Sequence, residues 1–258
     1  TSNWGILGGV FSSIMVTKGL SSYVIEQIGI DFSPDAAGAL VLVLLYVIYR
    51  FGLRLAMQIQ VVLVIQLLVA LGIYASVGTF NYGIAMSFDM PRGSGDFFMA
   101  VVLAYSLSMG TQVLAEIGEE VHNARRTIPL SLCIGGSIIL LVYVLVSGVF
   151  LRAIPYDYDR YQSMQAPLAE SASLFLGSPA LIFLNVAAIS AGLTSLNAAA
   201  GSLPREFFAQ ARDGILPAWF GRIHAPTGTP MNAVTAYFLL SIVLMLSPLS
   251  IAFCGYMV

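Results

Sequence analysis

Four groups of residues in this chain carry types and spacings that could do chemistry. The first is Ser106-Leu107-Ser108-Met109-Gly110-Thr111, three hydroxyls and a glycine inside a long apolar stretch. Backbone unwound at such a place is tolerated in a membrane only where it lines a cavity or is buried in protein, and transporters bind substrate at such breaks. The same hydroxyls can instead bond back to the preceding turn of an unbroken helix, with Gly110 as a packing contact. The second group is Glu116, Glu119, Glu120, Arg125 and Arg126. The last four can form a gate network or a solvated loop, whereas Glu116 lies deeper and is a candidate for a proton relay. The third is Lys18 with Glu26, about two turns apart and so on one helix face. An intramembrane Lys pairs, lines a cavity or snorkels to the membrane edge. The fourth is Ala191, Thr194 and Ser195, at spacings i, i+3 and i+4 on one face, where small residues also serve close helix packing.

The elements that must hold these groups follow from composition. Of 258 residues, 58% are hydrophobic and 9% charged. Soluble domains carry roughly a quarter charged residues, and eleven basic plus thirteen acidic side chains cannot cover a soluble fold of this length. A net charge of −2 with no basic stripe excludes a nucleic-acid footprint. Cys133 and Cys254 lie in apolar context without ligand spacing, and no His/Cys/carboxylate cluster indicates a metal-binding enzyme. The long apolar runs lack period-2 alternation, which selects helices over barrel strands. The fold class expected is an all-α polytopic transmembrane bundle forming a single domain over residues 1–258.

Candidate helices run from Trp4 to about Ile30, Ala36 to Tyr49, Leu55 to Val77 and Phe97 to about Val121. A fifth is capped by Thr127, has Pro129 in its first turn and reaches Leu151. Ile154 to Pro167 reads as a polar loop. The sixth helix starts near Ser171 and continues to about Arg212, where Asp213-Gly214 stops it. It exceeds what a bilayer needs and should protrude or bend near Pro204. A seventh starts at Thr229-Pro230 and ends near Ser247-Pro248, and an eighth begins near Ile251. Both ends look cut, as in a fragment. Arg50, Arg54, Arg125, Arg126, Arg205, Arg212 and Arg222 fall in alternate connections, which the positive-inside rule makes cytoplasmic. Asp31, Asp35, Asp89, Asp96, Asp157, Asp159 and Glu170 fall on the other side.

Two stretches carry a resemblance. Glu119-Glu120-Val121-His122-Asn123-Ala124-Arg125-Arg126-Thr127-Ile128-Pro129 resembles the cytoplasmic end of the sixth helix in amino acid-polyamine-organocation permeases, where acidic-acidic-Val-Lys-Asn-Pro-basic-Arg-x-x-Pro is usual. Phe208 through Phe220, continuing to Gly228-Thr229-Pro230-Met231-Asn232-Ala233, is similar to that family's connection between its eighth and ninth helices. The resemblance covers nearly the whole chain and implies the leucine-transporter-type inverted-repeat fold, here family helices three to nine with the start of the tenth, without the first two helices and the C-terminal ones. Ala124 replaces the usual Pro and His122 the usual Lys; Gln112 stands where many members carry Glu or Asp; Pro204 is unusual before the Arg.

The resemblance further implies a secondary active transporter of amino acids or related amines working by alternating access in the cell membrane, and not an enzyme. Its substrate site would be formed by Ser106, Leu107, Ser108, Met109, Gly110, Thr111 and Gln112, with unwound carbonyls taking the substrate ammonium group. No prosthetic cofactor is implied. A coupled sodium ion would be held by the Ala191 carbonyl with the Thr194 and Ser195 hydroxyls, as in sodium-coupled transporters of this fold. Sodium-independent relatives often place a Lys from the fifth helix there; the matching stretch, Val61 to Leu71, has Gln66 and no Lys. Proton coupling through Lys18 or Glu116, exchange, a polyamine or organic-cation substrate, and a channel-like or scaffold role stay open at this stage.

Overall fold

The computed structural model describes residues 3–28, 31–85, 93–107, 121–164, 167–224 and 228–247. Among these residues the regular structure is helical: α1 (Asn3–Ile28), α2 (Pro34–Arg50), α3 (Leu53–Tyr82), α4 (Gly93–Leu107), α5 (Ala124–Ala153), α6 (Tyr158–Ser163), α7 (Pro167–Ser173), α8 (Ser178–Arg212) and α9 (Met231–Met245). Extended pairing among the described residues is one isolated bridge between His224 and Thr229. Leu55–Tyr82, Ala124–Ala153 and Ser178–Arg212 are long and apolar enough to cross a membrane; Gly93–Val102 and Met231–Met245 are shorter apolar helices. Large apolar side chains stand outward along the long spans, Ile138, Ile139, Leu140 and Leu141 on α5 among them. In water such a surface is a liability; in hydrocarbon it is the solvated face.

The chain divides into two compact units, Thr1–Gln66 with Ala187–Val258, and Leu67–Val186. In the first, α1, α2 and α9 each pack against the other two. Their core contains Val10, Ile14, Leu42, Tyr49, Tyr237 and Phe238, joined by Leu196 and Ala200 of α8. The rings of Tyr46, Tyr49 and Tyr237 surround Phe238 at centroid distances of 5.5, 5.9 and 5.1 Å. Each of these phenols finds a polar partner: Tyr237 donates to Ser13 Oγ at 3.0 Å, Tyr49 to the Asn197 carbonyl at 2.8 Å, and Tyr46 shares a hydrogen with Thr235 Oγ1 at 3.2 Å. An aromatic ring with an O–H can be buried in a helical core only when that group is satisfied.

In the second unit α5 contacts α7, and Tyr74 of α3 shares a hydrogen with Ser171 Oγ at 2.7 Å, both residues fully buried. The stretch Ile154 to Pro167, expected as loop, contains α6. Asp157 caps it, its Oδ1 accepting from the Asp159 and Arg160 amides, and the Tyr161 hydroxyl donates to the Ile154 carbonyl at 2.7 Å. Partial burial pushes the Tyr161 phenol above its ordinary range.

Several boundaries differ from the sequence reading. α5 begins at Ala124, with Asn123 in the left-handed region (φ 54°) before it, and Thr127 bonds back to the His122 carbonyl instead of capping. The stretch expected as one helix from Ser171 to Arg212 is two: α7 ends at Ser173, and α8 starts at Ser178 after a turn through Gly177. Pro179 explains the restart, since proline is suited to a first helical turn and unsuited to a helix interior. α3 runs on to Tyr82, past Val77. α8 ends at Arg212 as expected, with Gly214 at φ 77° and the Gln210 carbonyl accepting from Ile215 and Leu216.

A buried polar seam as the candidate functional site

The middle of α8 concentrates polar groups in an apolar helix. Thr194 Oγ1 and Ser195 Oγ both donate to the Ala191 carbonyl, at 2.9 and 3.0 Å. The helical period produces this convergence: residues i+3 and i+4 flank the carbonyl of residue i, and a short hydroxyl reaches it. Three oxygens therefore sit at one point of the helix, and among the described residues no carboxylate bonds to them. Thr194 is buried and Ser195 exposed.

One turn further, Asn197 ties α8 to two other helices. Its Nδ2 donates to the Ala56 carbonyl at 3.0 Å and to Gln60 Oε1 at 2.8 Å, both on α3. Gln60 Nε2 in turn donates to the Thr194 carbonyl at 3.2 Å, and Tyr49 of α2 donates to the Asn197 carbonyl. Gly192 lets α1 approach: a Cβ there would lie 2.9 Å from Leu20 Cδ1. Gln60 of α3 meets this face of α8, six positions before the Gln66 of the stretch that the resemblance aligns. Neither is a Lys, so α3 brings a neutral amide to Thr194.

Lys18 is buried on α1 and pairs with Asp35 Oδ1 in the first turn of α2 at 2.7 Å. The sequence places Glu26 on the same helix face; the ion pair is made with the next helix instead of within α1. Arg125 and Arg126 are exposed in the first turn of α5. Ser106 and Leu107 are the last residues of α4, which is helical to that point. Ser108, Met109, Gly110, Thr111, Gln112, Glu116, Glu119 and Glu120 lie outside the described residues. No group of three or more His, Cys, Asp or Glu side chains suited to a metal occurs among the described residues.

Asn197, Gln60, Tyr49 and Asp35 were not singled out in the sequence. A signal was present: a carboxamide inside an apolar span is expected to bond another helix. The helical period cannot say which one.

Helices long and apolar enough to cross a membrane, with outward apolar faces, define an integral multi-pass membrane protein, and in its first unit a seam of neutral oxygens and amides links α2, α3 and α8. The comparison with known families makes the class specific. The model of the family described as "Amino acid permease" matches residues 2–252, and the chain belongs to that family. It is 26% identical over 220 residues to "Cationic amino acid transporter 4, vacuolar" of Arabidopsis thaliana, covering 81% of this chain and 35% of that protein. It is 31% identical over 158 residues to "Cationic amino acid transporter 3, mitochondrial" of the same plant, covering 60% and 23%. To "Uncharacterized amino acid permease YecA" of Bacillus subtilis (strain 168) it is 22% identical over 241 residues, covering 90% and 55%. The chain thus spans between about a quarter and about half the length of these relatives. They are permeases and transporters, not enzymes.

Proposed function

We propose that this chain forms the core of a secondary active transporter that moves amino acids or related amines across a membrane by alternating access. Within that class, cationic amino acids are the preferred substrates, a reading supported by the names of the two plant relatives, both cationic amino acid transporters. The observation that carries the transport reading is the oxygen cluster of Ala191, Thr194 and Ser195 in the middle of a membrane-length helix. Polar groups at that depth are expensive, and neutral oxygens suit a hard cation without burying a carboxylate.

In this reading the segment Ser106 to Gln112 receives the substrate ammonium group, and Glu119, Glu120, Arg125 and Arg126 gate the cytoplasmic side. The coupled ion is sodium at Ala191, Thr194 and Ser195, with a proton carried by Glu116 or Lys18 as the competing arrangement. The membrane is the cell membrane. The test is uptake of radiolabelled lysine, arginine and leucine into proteoliposomes containing the full-length protein. Saturable uptake that favours the two cations and accelerates with amino acid on the far side supports the proposal. Flux that does not saturate indicates a channel, and the lack of uptake of every amino acid and amine offered indicates a scaffold.

A further inference from the structure

The connection between α8 and α9, inside the first unit, folds back on α8 as a tight turn. The amides of Phe220, Gly221 and Arg222 donate to the Pro217, Ala218 and Trp219 carbonyls at 3.0, 3.2 and 3.4 Å. Successive bonds from residue i to i−3 bring side chains three positions apart onto one face. One face is fixed against α8: the Phe220 ring stacks on that of Phe207 at a centroid distance of 5.7 Å, and the Cβ position of Gly221 lies 3.6 Å from Ala211 Cβ. Trp219 and Arg222, three positions apart, share another face, and both are exposed. Ile215 and Ile223 flank them and are 57% and 58% exposed.

Asn232 sets the depth of this turn. Its Nδ2 donates to the Trp219 carbonyl at 2.9 Å, and Asn232 stands in the first turn of α9. α9 is an apolar helix of 15 residues. It is about 22 Å long, less than the roughly 30 Å of hydrocarbon in a bilayer. Its first turn therefore lies no further out than the edge of the hydrocarbon, and the turn bonded to it lies among the headgroups. At that level an indole keeps its rings in apolar surroundings and its N–H among polar ones. A guanidinium there meets phosphate, which it binds through two parallel N–H donors. Between Arg212 and His224 the chain carries two arginines against one aspartate.

We propose that this turn docks an anionic phospholipid, with Arg222 on the headgroup phosphate and Trp219 at the boundary between headgroup and acyl chains. A zwitterionic lipid carries the same phosphate beside its own ammonium, which opposes the guanidinium; an anionic headgroup has no such group. The turn belongs to the Arg-rich side that the positive-inside rule assigns to the cytoplasm, where anionic lipids concentrate. A soluble acidic partner would have to cover Trp219 and the two isoleucines at a level that lipid already occupies. The site rests on the membrane class of the chain and not on the transport reading.

The test uses purified full-length protein and two lipids with identical chains, phosphatidylglycerol and phosphatidylcholine. Native mass spectrometry should show phosphatidylglycerol retained about fivefold more than phosphatidylcholine. Arg222→Gln removes the preference, and Arg222→Lys, which keeps the charge, retains most of it. Trp219→Ala weakens retention of both lipids. Arg160→Gln, at an exposed arginine of the other unit, changes neither. Depth is read separately in nanodiscs: a bimane on Ile223→Cys, in a background without other cysteines, is quenched by lipids brominated near the headgroup. Equal retention of the two lipids overturns the proposal, as does a preference that survives Arg222→Gln. Displacement of phosphatidylglycerol by inorganic phosphate makes the site one for a soluble anion and overturns it too. A bimane that brominated lipid does not quench places the turn in water, within reach of a soluble partner, and overturns it as well.

Discussion

Lys18 Nζ lies 2.7 Å from Asp35 Oδ1, with the lysine side chain 7% exposed and the carboxylate 46% exposed. The pair clasps α1 to the first turn of α2, and its two halves are not equivalent. Removing the carboxylate leaves an ammonium in a poorly solvated place without a counter-charge. Removing the ammonium leaves a carboxylate that solvent can reach. Asp35→Asn therefore costs about 2–3 kcal/mol, and Lys18→Met about 1 kcal/mol or less. Thermal unfolding of the purified full-length protein measures both. The double variant should be more stable than Asp35→Asn alone, and the reverse order would show that the pair is not the clasp.

The convergence of Thr194 and Ser195 on the Ala191 carbonyl gives a direct test of ion coupling. With sodium held there, uptake in sodium buffer exceeds uptake in choline buffer, and Thr194→Ala or Ser195→Ala lowers the sodium-dependent part tenfold or more, in keeping with about 1.4 kcal/mol per lost ligand. Folding should change little, since each hydroxyl returns only a local bond to its own helix. Sodium-independent uptake that survives both substitutions moves the coupling role to Glu116 or Lys18.

Charge distribution fixes a topology that labelling can read. Single cysteines introduced at Arg126 and Asp157 of a background lacking Cys133 and Cys254 should react with an impermeant maleimide from opposite sides of the membrane. Reaction from the same side would remove a span from between them and break the family register.

Two glycines of α3 should respond oppositely to a methyl group. A Cβ on Gly78 would collide with Val149 Cγ1 and lie 3.0 Å from Phe175 Cζ, whereas one on Gly72 meets nothing within 4 Å. Val149 is β-branched and fully buried, so it has no low-energy retreat. Gly78→Ala is expected to destabilise by about 1–3 kcal/mol. Gly72→Ala is expected to be neutral or stabilising by up to about 1 kcal/mol. The two melting curves, taken in the same detergent, give the comparison.

The apolar runs by themselves determined that this chain is a set of apolar helices, because hydrocarbon leaves the backbone only helices or closed barrels and the runs lack the alternation of barrel strands. Gly214 marked the end of α8 correctly, since a left-handed residue stops a helix locally. The motif stretches carried the family, which residues 2–252 bear out. The convergence of Thr194 and Ser195 on Ala191 was also legible as a shared face, because i+3 and i+4 spacing is a property of one helix.

What the sequence could not supply is the choice of partner between helices. Spacing puts Lys18 and Glu26 on one helix face, but it cannot show that the counter-charge of Lys18 is Asp35 on the next helix. On α3, Gln60 meets Thr194 and Asn197, and 137 positions separate Gln60 from Asn197 along the chain. The division of the expected sixth helix after Ser173 carries a local signal in Gly177-Ser178-Pro179, which the apolar runs on both sides outweigh in a reading by hydropathy. Helical periodicity says which residues share a face. Only close packing of several helices, where one turn of rotation exchanges every contact, decides which faces meet.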